Sequence, residues 1–223
     1  MLPARAKLQY ILFDWDGTLA DNAKVVLQSV NQVLSEYNLP DWNQMKSRRD
    51  PKLSLWDNFA NLFGANASQA YERYLQIYKK ATPAMVKAFP GAKEVLNFLK
   101  AEGRDVIIMT NKDRRLLDIE LPLLYDPSIF SRIVCGHEAP KDKPYPEHIF
   151  YTLRGLLPQI EISRQNVWMV GDSDQDSDCA LSANALPVRV NQALFGTDTD
   201  TYKSDDVFYF DNFSEMLKAL RGE

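Results

Sequence analysis

The sequence predicts an α/β fold, a doubly wound and mostly parallel sheet interrupted by an all-helical insertion, and three observations lead there. Short apolar runs alternate with helical patterns over most of the chain, as crossover connections between parallel strands require. Several of those runs are continuously apolar rather than alternating, the pattern of strands buried on both faces. The stretch from Asn22 to about Thr82 breaks the alternation and shows helical patterns only.

The first strand is expected over residues 8–13, an apolar run that ends in Phe13-Asp14-Trp15-Asp16-Gly17-Thr18-Leu19. Helical patterns then cover 25–37, 53–63 and 69–80, punctuated by Pro40, Pro51 and Gly64. Within them Trp56, Phe59, Phe63, Tyr71, Tyr74 and Tyr78 recur at helical spacing. Such a stripe reads as the insertion's own core rather than a ligand box. Phe89-Pro90-Gly91 reopens the sheet layer ahead of a helix over 92–101. Strands follow over 106–109, 132–135, 167–170 and 187–190, with a weaker one over 207–210. The helices between and after them are expected over 114–124, 147–157, 175–182 and 213–220. The predicted division is a sheet core from 1–19 and 83–223 and a helical unit from 20–82, with hinges at 19–22 and 82–84.

At 223 residues the chain is long enough to build its core without disulfides or a structural metal. Its net charge is −4 and no basic run exceeds Arg48-Arg49 or Arg114-Arg115, which argues against nucleic acid as a partner. No run of about 18 apolar residues and no apolar segment before a cleavage site occurs. The expectation is a cytoplasmic protein without a membrane span. Cys135 and Cys179 read as buried free thiols.

In a parallel sheet, functional groups gather outside the carboxyl ends of the strands. Asp14 and Asp16 follow the first, Thr110-Asn111-Lys112 the second, and Lys141-Asp142-Lys143-Pro144 lies downstream of the third. Gly171-Asp172-Ser173-Asp174-Gln175-Asp176 follows the fourth. Two carboxylates two residues apart repel unless a cation sits nearby or one holds a proton. An Asp-x-Asp at a strand end suits Mg2+, which takes hard oxygen ligands, and leaves one carboxylate free to attack. Taken alone, that segment also fits an Asp-Gly hairpin turn, Thr110 a cap, and Asp172 and Asp176 the start of a helix. Asp174 and Asp178 are assigned to solvent or capping, and His137 and His148 to structural or exposed positions.

Together these motifs resemble the haloacid dehalogenase superfamily of phosphohydrolases, over nearly the whole chain. The first motif is Asp-x-Asp-Gly-Thr at Asp14, the second Thr110, the third Lys143 in Lys-Pro-Tyr-Pro, and the fourth Gly-Asp-x-x-x-Asp at Asp172 and Asp176. The helical insertion, Phe89-Pro90-Gly91 and Thr110-Asn111-Lys112 look like the subgroup that includes phosphoglycolate phosphatases and beta-phosphoglucomutases. The resemblance implies a Rossmann-like core with a small helical cap. It implies Asp14 as nucleophile, Asp16 as general acid and base, and Mg2+ held by the Asp14 carboxylate, the Asp16 carbonyl and Asp172. Thr110 would donate to a phosphoryl oxygen, Lys143 would neutralise charge, and Asp176 would orient Lys143 or a metal-bound water. Asn111 joins Thr110 in the implied substrate-binding set, and Arg48 and Arg49, on a loop between helical patterns, either lie exposed or reach over the site to meet a carboxylate or second phosphate.

Dehalogenases of the superfamily lack the second Asp and phosphonatases carry a non-acidic residue there, so Asp16 speaks against both. The expected activity is hydrolysis of a small phosphorylated metabolite by a monomer or homodimer. A phosphomutase is the alternative, and a catalytically silent binding relative a further one. A response-regulator receiver gathers similar residues, yet it is about half this length and has no place for the insertion.

Overall fold

The computed structural model describes residues 7–50, 53–190 and 205–223; Pro51 and the opening residues 1–6 lie outside the described residues. The strands in chain order are β1 (Tyr10–Phe13), β2 (Ala20–Asp21), β3 (Lys87–Ala88), β4 (Asp105–Met109), β5 (Arg132–Val134), β6 (Val167–Gly171), β7 (Leu186–Val190) and β8 (Phe208–Phe210). Six of them form one parallel sheet in the order β5-β4-β1-β6-β7-β8. From β1 the chain builds outward through β4 and β5, then returns to the other side of β1 for β6, β7 and β8. The order reverses at β1, and a crevice opens beyond the carboxyl ends of the strands at such a point.

Both faces of the sheet are buried, with the period of two that a pleated strand imposes. Ile11, Phe13, Val106, Ile108, Trp168 and Val170 face one layer, built on α4 (Ala92–Ala101), α5 (Arg114–Leu124) and α8 (Phe213–Arg221). Leu12, Ile107, Met109, Val167 and Met169 face the other, with α6 (Glu147–Thr152) and α7 (Asp174–Ser182). Each such side chain, fully buried, stabilises the fold by roughly 1.5–3 kcal/mol. Cys135 and Cys179 are free and buried, and burial pushes both thiols up to about 12. Among the described residues no helix is long and apolar enough to cross a membrane.

The insertion is helical as expected: α1 (Ala23–Glu36), a 3-10 segment over Trp42–Arg48, α2 (Leu55–Phe63) and α3 (Ala67–Met85). α2 starts where the Ser54 hydroxyl accepts from the Asp57 amide, an N-cap that satisfies one of the free amides of a first turn. These helices share one apolar cluster, which Leu116 of α5 joins from the sheet side. The aromatic stripe is part of it: Tyr74 lies 5.6 Å from Phe59, 5.6 Å from Tyr71 and 5.5 Å from Tyr78 between ring centres.

Two expectations change. α3 runs through Pro83 to Met85, so residues 82–84 are helix and not a hinge. The chain instead crosses at two short strands, β2 and β3, paired antiparallel with Ala20 opposite Ala88 and Asp21 opposite Lys87. α6 also ends at Thr152 rather than at 157, and the chain then turns at Gly155, which takes a φ of 79°.

Candidate active site

Asp14 leaves β1 still on the sheet, its amide donating to the Val170 carbonyl at 2.9 Å. The loop then winds round a single carbonyl, that of Trp15, which accepts from the amides of Thr18, Leu19 and Ala20 at 3.2, 3.0 and 2.9 Å. That winding is no hairpin turn, and it requires Gly17. Its φ is 79°, and a Cβ there would sit 2.4 Å from Asp172 Oδ2. Gly17→Ala is expected to cost about 1–3 kcal/mol, read as a fall of roughly 2–10 °C in melting temperature; an unchanged melting curve would contradict this account of the loop.

Four strand ends converge here. Lys143 Nζ lies 2.6 Å from Asp14 Oδ1 and 2.6 Å from Asp176 Oδ1, with all three side chains buried. Asp176 Oδ2 accepts from the Ser173 amide at 3.0 Å and its hydroxyl at 2.6 Å, closing the capping box that begins α7. Burial raises the Asp14 carboxyl to about 6, against the opposing pull of Lys143. Burial also disfavours the Lys143 charge, but Asp14 and Asp176 outweigh it and hold the ammonium above the ordinary lysine value. Near neutral pH this is an ion cluster.

Asp172 Oδ1 accepts from the Thr18 hydroxyl at 3.3 Å. Its carbonyl takes a 2.7 Å bond from Arg189, whose guanidinium also reaches Asp174 at 2.6 Å. Asp174 therefore anchors an arginine rather than facing solvent alone. Thr110 is buried at the end of β4, its hydroxyl accepting from the Lys112 amide at 3.2 Å. Asn111 lines the cleft but serves the chain's own backbone, which narrows the expectation of substrate contact. It accepts from the Lys143 amide at 3.0 Å, and its amide nitrogen donates to the Lys143 carbonyl at 2.8 Å and to Gln175 at 3.0 Å.

One carboxylate oxygen each from Asp14, Asp172 and Asp176 lie within 4.8 Å of one another. Buried, all-oxygen and anionic, this set fits a hard divalent cation. Asp176 is already engaged by Lys143 and Ser173, which leaves Asp14 and Asp172 as the carboxylates to hold it.

Asp14 and Asp172 open onto a cleft of about 400 Å³ shared with the helical insertion, whose side is lined by Trp42, Arg49, Trp56 and Tyr71. Arg49 stacks on Trp42, its guanidinium carbon 4.1 Å from the ring centre. Its buried Nε has no hydrogen-bond partner among the described residues, and burial lowers its pKa. Arg48 is exposed and does not line the cleft; of the two expected arginines, Arg49 alone faces the site. The aromatic stripe corrects in the same way: it is core, as expected, but Trp56, Tyr71 and Tyr74 also form a wall of the cleft.

Sequence reasoning passed over a second buried cluster. Asp16 Oδ1 accepts from Lys112 Nζ at 2.7 Å and from Asn22 at 2.5 Å. Behind Lys112 lies Glu120 of α5, fully buried, 3.3 Å from the ammonium. Glu120 also accepts from Trp15 at 2.5 Å, Tyr78 at 2.5 Å and Asn22 at 3.3 Å. Burial disfavours the Lys112 charge, yet Asp16 and Glu120 hold its pKa above the usual lysine value. The signal was present: Glu120 is a charged residue on the face of α5 that otherwise carries Leu116, Leu117, Leu121 and Leu124.

The parallel six-stranded sheet sets its acidic residues at the switch of strand order, where open α/β sheets carry their ligand sites. The family model of haloacid dehalogenase-like hydrolases matches residues 11–190, and the chain belongs to that family. It is 26% identical to a phosphoglycolate phosphatase of Haemophilus influenzae (strain 86-028NP), across 96% of this chain and 99% of that one. It is likewise 26% identical to the pyrophosphatase PpaX of Bacillus mycoides (strain KBAB4), across 96% and 97%. A crystal structure from Haemophilus somnus 129PT, described as a predicted phosphoglycolate phosphatase, superposes with a TM-score of 0.80 at 23% identity, covering 97% of this chain and all of that one. At that identity the superposition speaks for the fold.

Proposed function

We propose that this hydrolase is a Mg2+-dependent phosphatase that cleaves a small phosphomonoester through an aspartyl-phosphate on Asp14. The observation that carries the reading is the buried Asp14–Lys143–Asp176 cluster facing Asp172 at the mouth of the cleft. Residues 20–82 act as a cap over a core of 1–19 and 83–223. Contacts across the two support this: Gln175 to the Leu53 carbonyl at 3.2 Å, Arg115 to Glu72 at 2.8 Å, and Tyr78 to Glu120.

A carboxylate is a weak nucleophile, so position and charge neutralisation must supply most of the rate. Asp14 attacks phosphorus while the bond from phosphorus to the ester oxygen breaks. Asp16 gives a proton to that departing oxygen. Water then attacks the phosphorus of the aspartyl-phosphate, Asp16 takes up its proton, and cleavage of the bond to Asp14 releases phosphate and restores the carboxylate. Lys143 and Thr110 face the phosphoryl oxygens, where charge builds in the transition state. Mg2+, held by Asp14, Asp172 and the Asp16 carbonyl, would supply further charge neutralisation between the nucleophile and its target. Asp176 keeps Lys143 in place.

The substrate is read from the far wall. A stacked arginine whose Nε lacks a partner suits a second anionic group on the leaving side, as phosphoglycolate and pyrophosphate both carry. The test is phosphate release from a panel that includes 2-phosphoglycolate, pyrophosphate and sugar phosphates, in Mg2+ or EDTA. Release in Mg2+ that stops in EDTA is expected, fastest with a dianionic or carboxylated ester. A folded protein that releases nothing in either condition would defeat the reading, and conversion between sugar-phosphate isomers would point to a phosphomutase instead.

A further inference from the structure

The two acidic residues of the first motif are supported by the same device, built twice. Lys143 touches Asp14 and is anchored from behind by Asp176. Lys112 touches Asp16 and is anchored from behind by Glu120. Both lysines are nearly inaccessible, with side chains 3% and 2% exposed. A solvated loop charge would be exposed, and a lysine serving only Glu120 would have no reason to reach Asp16 at 2.7 Å. Glu120 itself is already satisfied by Trp15, Tyr78 and Asn22.

We propose that Lys112, seated on Glu120, is the positioning residue of the acid/base carboxylate Asp16. Lys112 and Asn22 both bind Oδ1. A carboxylate gripped at one oxygen by two donors cannot rotate about its own axis. Oδ2 is thereby made the oxygen that releases the proton to the ester oxygen and collects it from water. The Asp16 side chain is 31% exposed on a loop, and Lys112 and Asn22 hold it from the protein side. The Tyr78 hydroxyl lies 3.1 Å from Lys112 and binds Glu120, so α3 of the helical insertion packs its own donor into the device.

This inference rests on the proposed phosphatase activity and is tested with two esters. An alkoxide leaves only with a proton, whereas 4-nitrophenolate leaves without one. In Lys112→Met, kcat/KM, which reports only the transfer of the phosphoryl group to Asp14, is expected to fall about 100-fold for 2-phosphoglycolate, or for the alkyl phosphate that the enzyme turns over fastest, a general-acid effect. KM stays within a factor of about 2, and the loss of kcat/KM on 4-nitrophenyl phosphate stays below about 10-fold, since that leaving group bypasses the acid. Asp16→Asn sets the benchmark for the pattern. Removing the lysine leaves Glu120 buried without its cation, so the double variant Lys112→Met with Glu120→Gln, which removes both charges, is measured beside it and should show the same split. Equal losses of kcat/KM on both esters, or a rise in KM alone, would overturn the positioning role and make Lys112 structural or substrate-binding. If the wild-type enzyme hydrolyses neither ester, the phosphatase reading itself falls and takes this inference with it.

Discussion

Asp14→Asn is expected to abolish turnover while leaving the fold in place, a loss on the order of 10⁴- to 10⁶-fold in kcat, as when a covalent nucleophile is removed. An amide oxygen is too poor a nucleophile to displace an alkoxide from phosphorus. The fold should survive because Lys143 keeps Asp176 at 2.6 Å, so its ammonium is not left uncompensated. Burial disfavours the Asp14 charge and raises its carboxyl to about 6, so a neutral amide in its place does not add a buried charge. Phosphate release and a melting curve, measured on one preparation, check both halves. Turnover within tenfold of wild type would remove Asp14 from the nucleophile's role.

The second large effect concerns acid stability. His148 on α6 is fully buried, and neither ring nitrogen has a partner among the described residues. Burial, with a smaller push from the Lys143 charge, lowers its pKa to about 3. The unfolded chain titrates near the ordinary value of about 6.5. Between those values the unfolded chain binds a proton that the folded protein refuses. Stability from this residue is therefore complete above about pH 6.5 and is lost as the pH falls toward 3. From pH 7 to 4.5 the loss is about 2–3 kcal/mol. Asp14 works the other way, since its raised carboxyl takes up a proton in the folded state first. A comparison between variants removes that common contribution. His148→Leu should unfold less readily than wild type, with the gap widening from pH 7 to 4.5. Parallel pH profiles in urea titrations would show that the ring is not the sensor.

The fold was legible because its causes are local and repeated. Buried strands such as residues 106–109 and 167–170 announce themselves as unbroken apolar runs, and α4 and α5 fall where their periodicity placed them. The second connection, expected at 82–84, was not, because β3 is two residues long and pairs with β2 only through the tertiary structure; two residues carry no periodicity. The candidate site divides along the same line. Asp14, Thr110, Lys143, Asp172 and Asp176 come together as their positions at strand ends foretold. Arg48 faces away from the cleft because helical pattern does not specify which way a connecting turn points. Glu120 stands out as a charge on the apolar face of α5, but its link to Lys112 does not, since their partners, Asp16, Tyr78 and Trp15, lie on other elements, and no spacing rule joins them.

The position of β1 governs when the molecule can assemble. β1 lies near the start of the chain, yet in the middle of the sheet Tyr10 pairs with Asp105 on one side and Val167 on the other. Contacts between residues so distant in sequence close slowly, since the intervening chain must be ordered first. On the ribosome β1 is made early and remains without either neighbour until β4 has emerged, and without its second until β6 has. Throughout that interval its Leu12 and Phe13 side chains, which end up fully buried, have no sheet to cover them. A nascent chain in that state is a natural client for a holding chaperone, and no truncation short of β6 can assemble the site, since Asp172 and Asp176 are made after it.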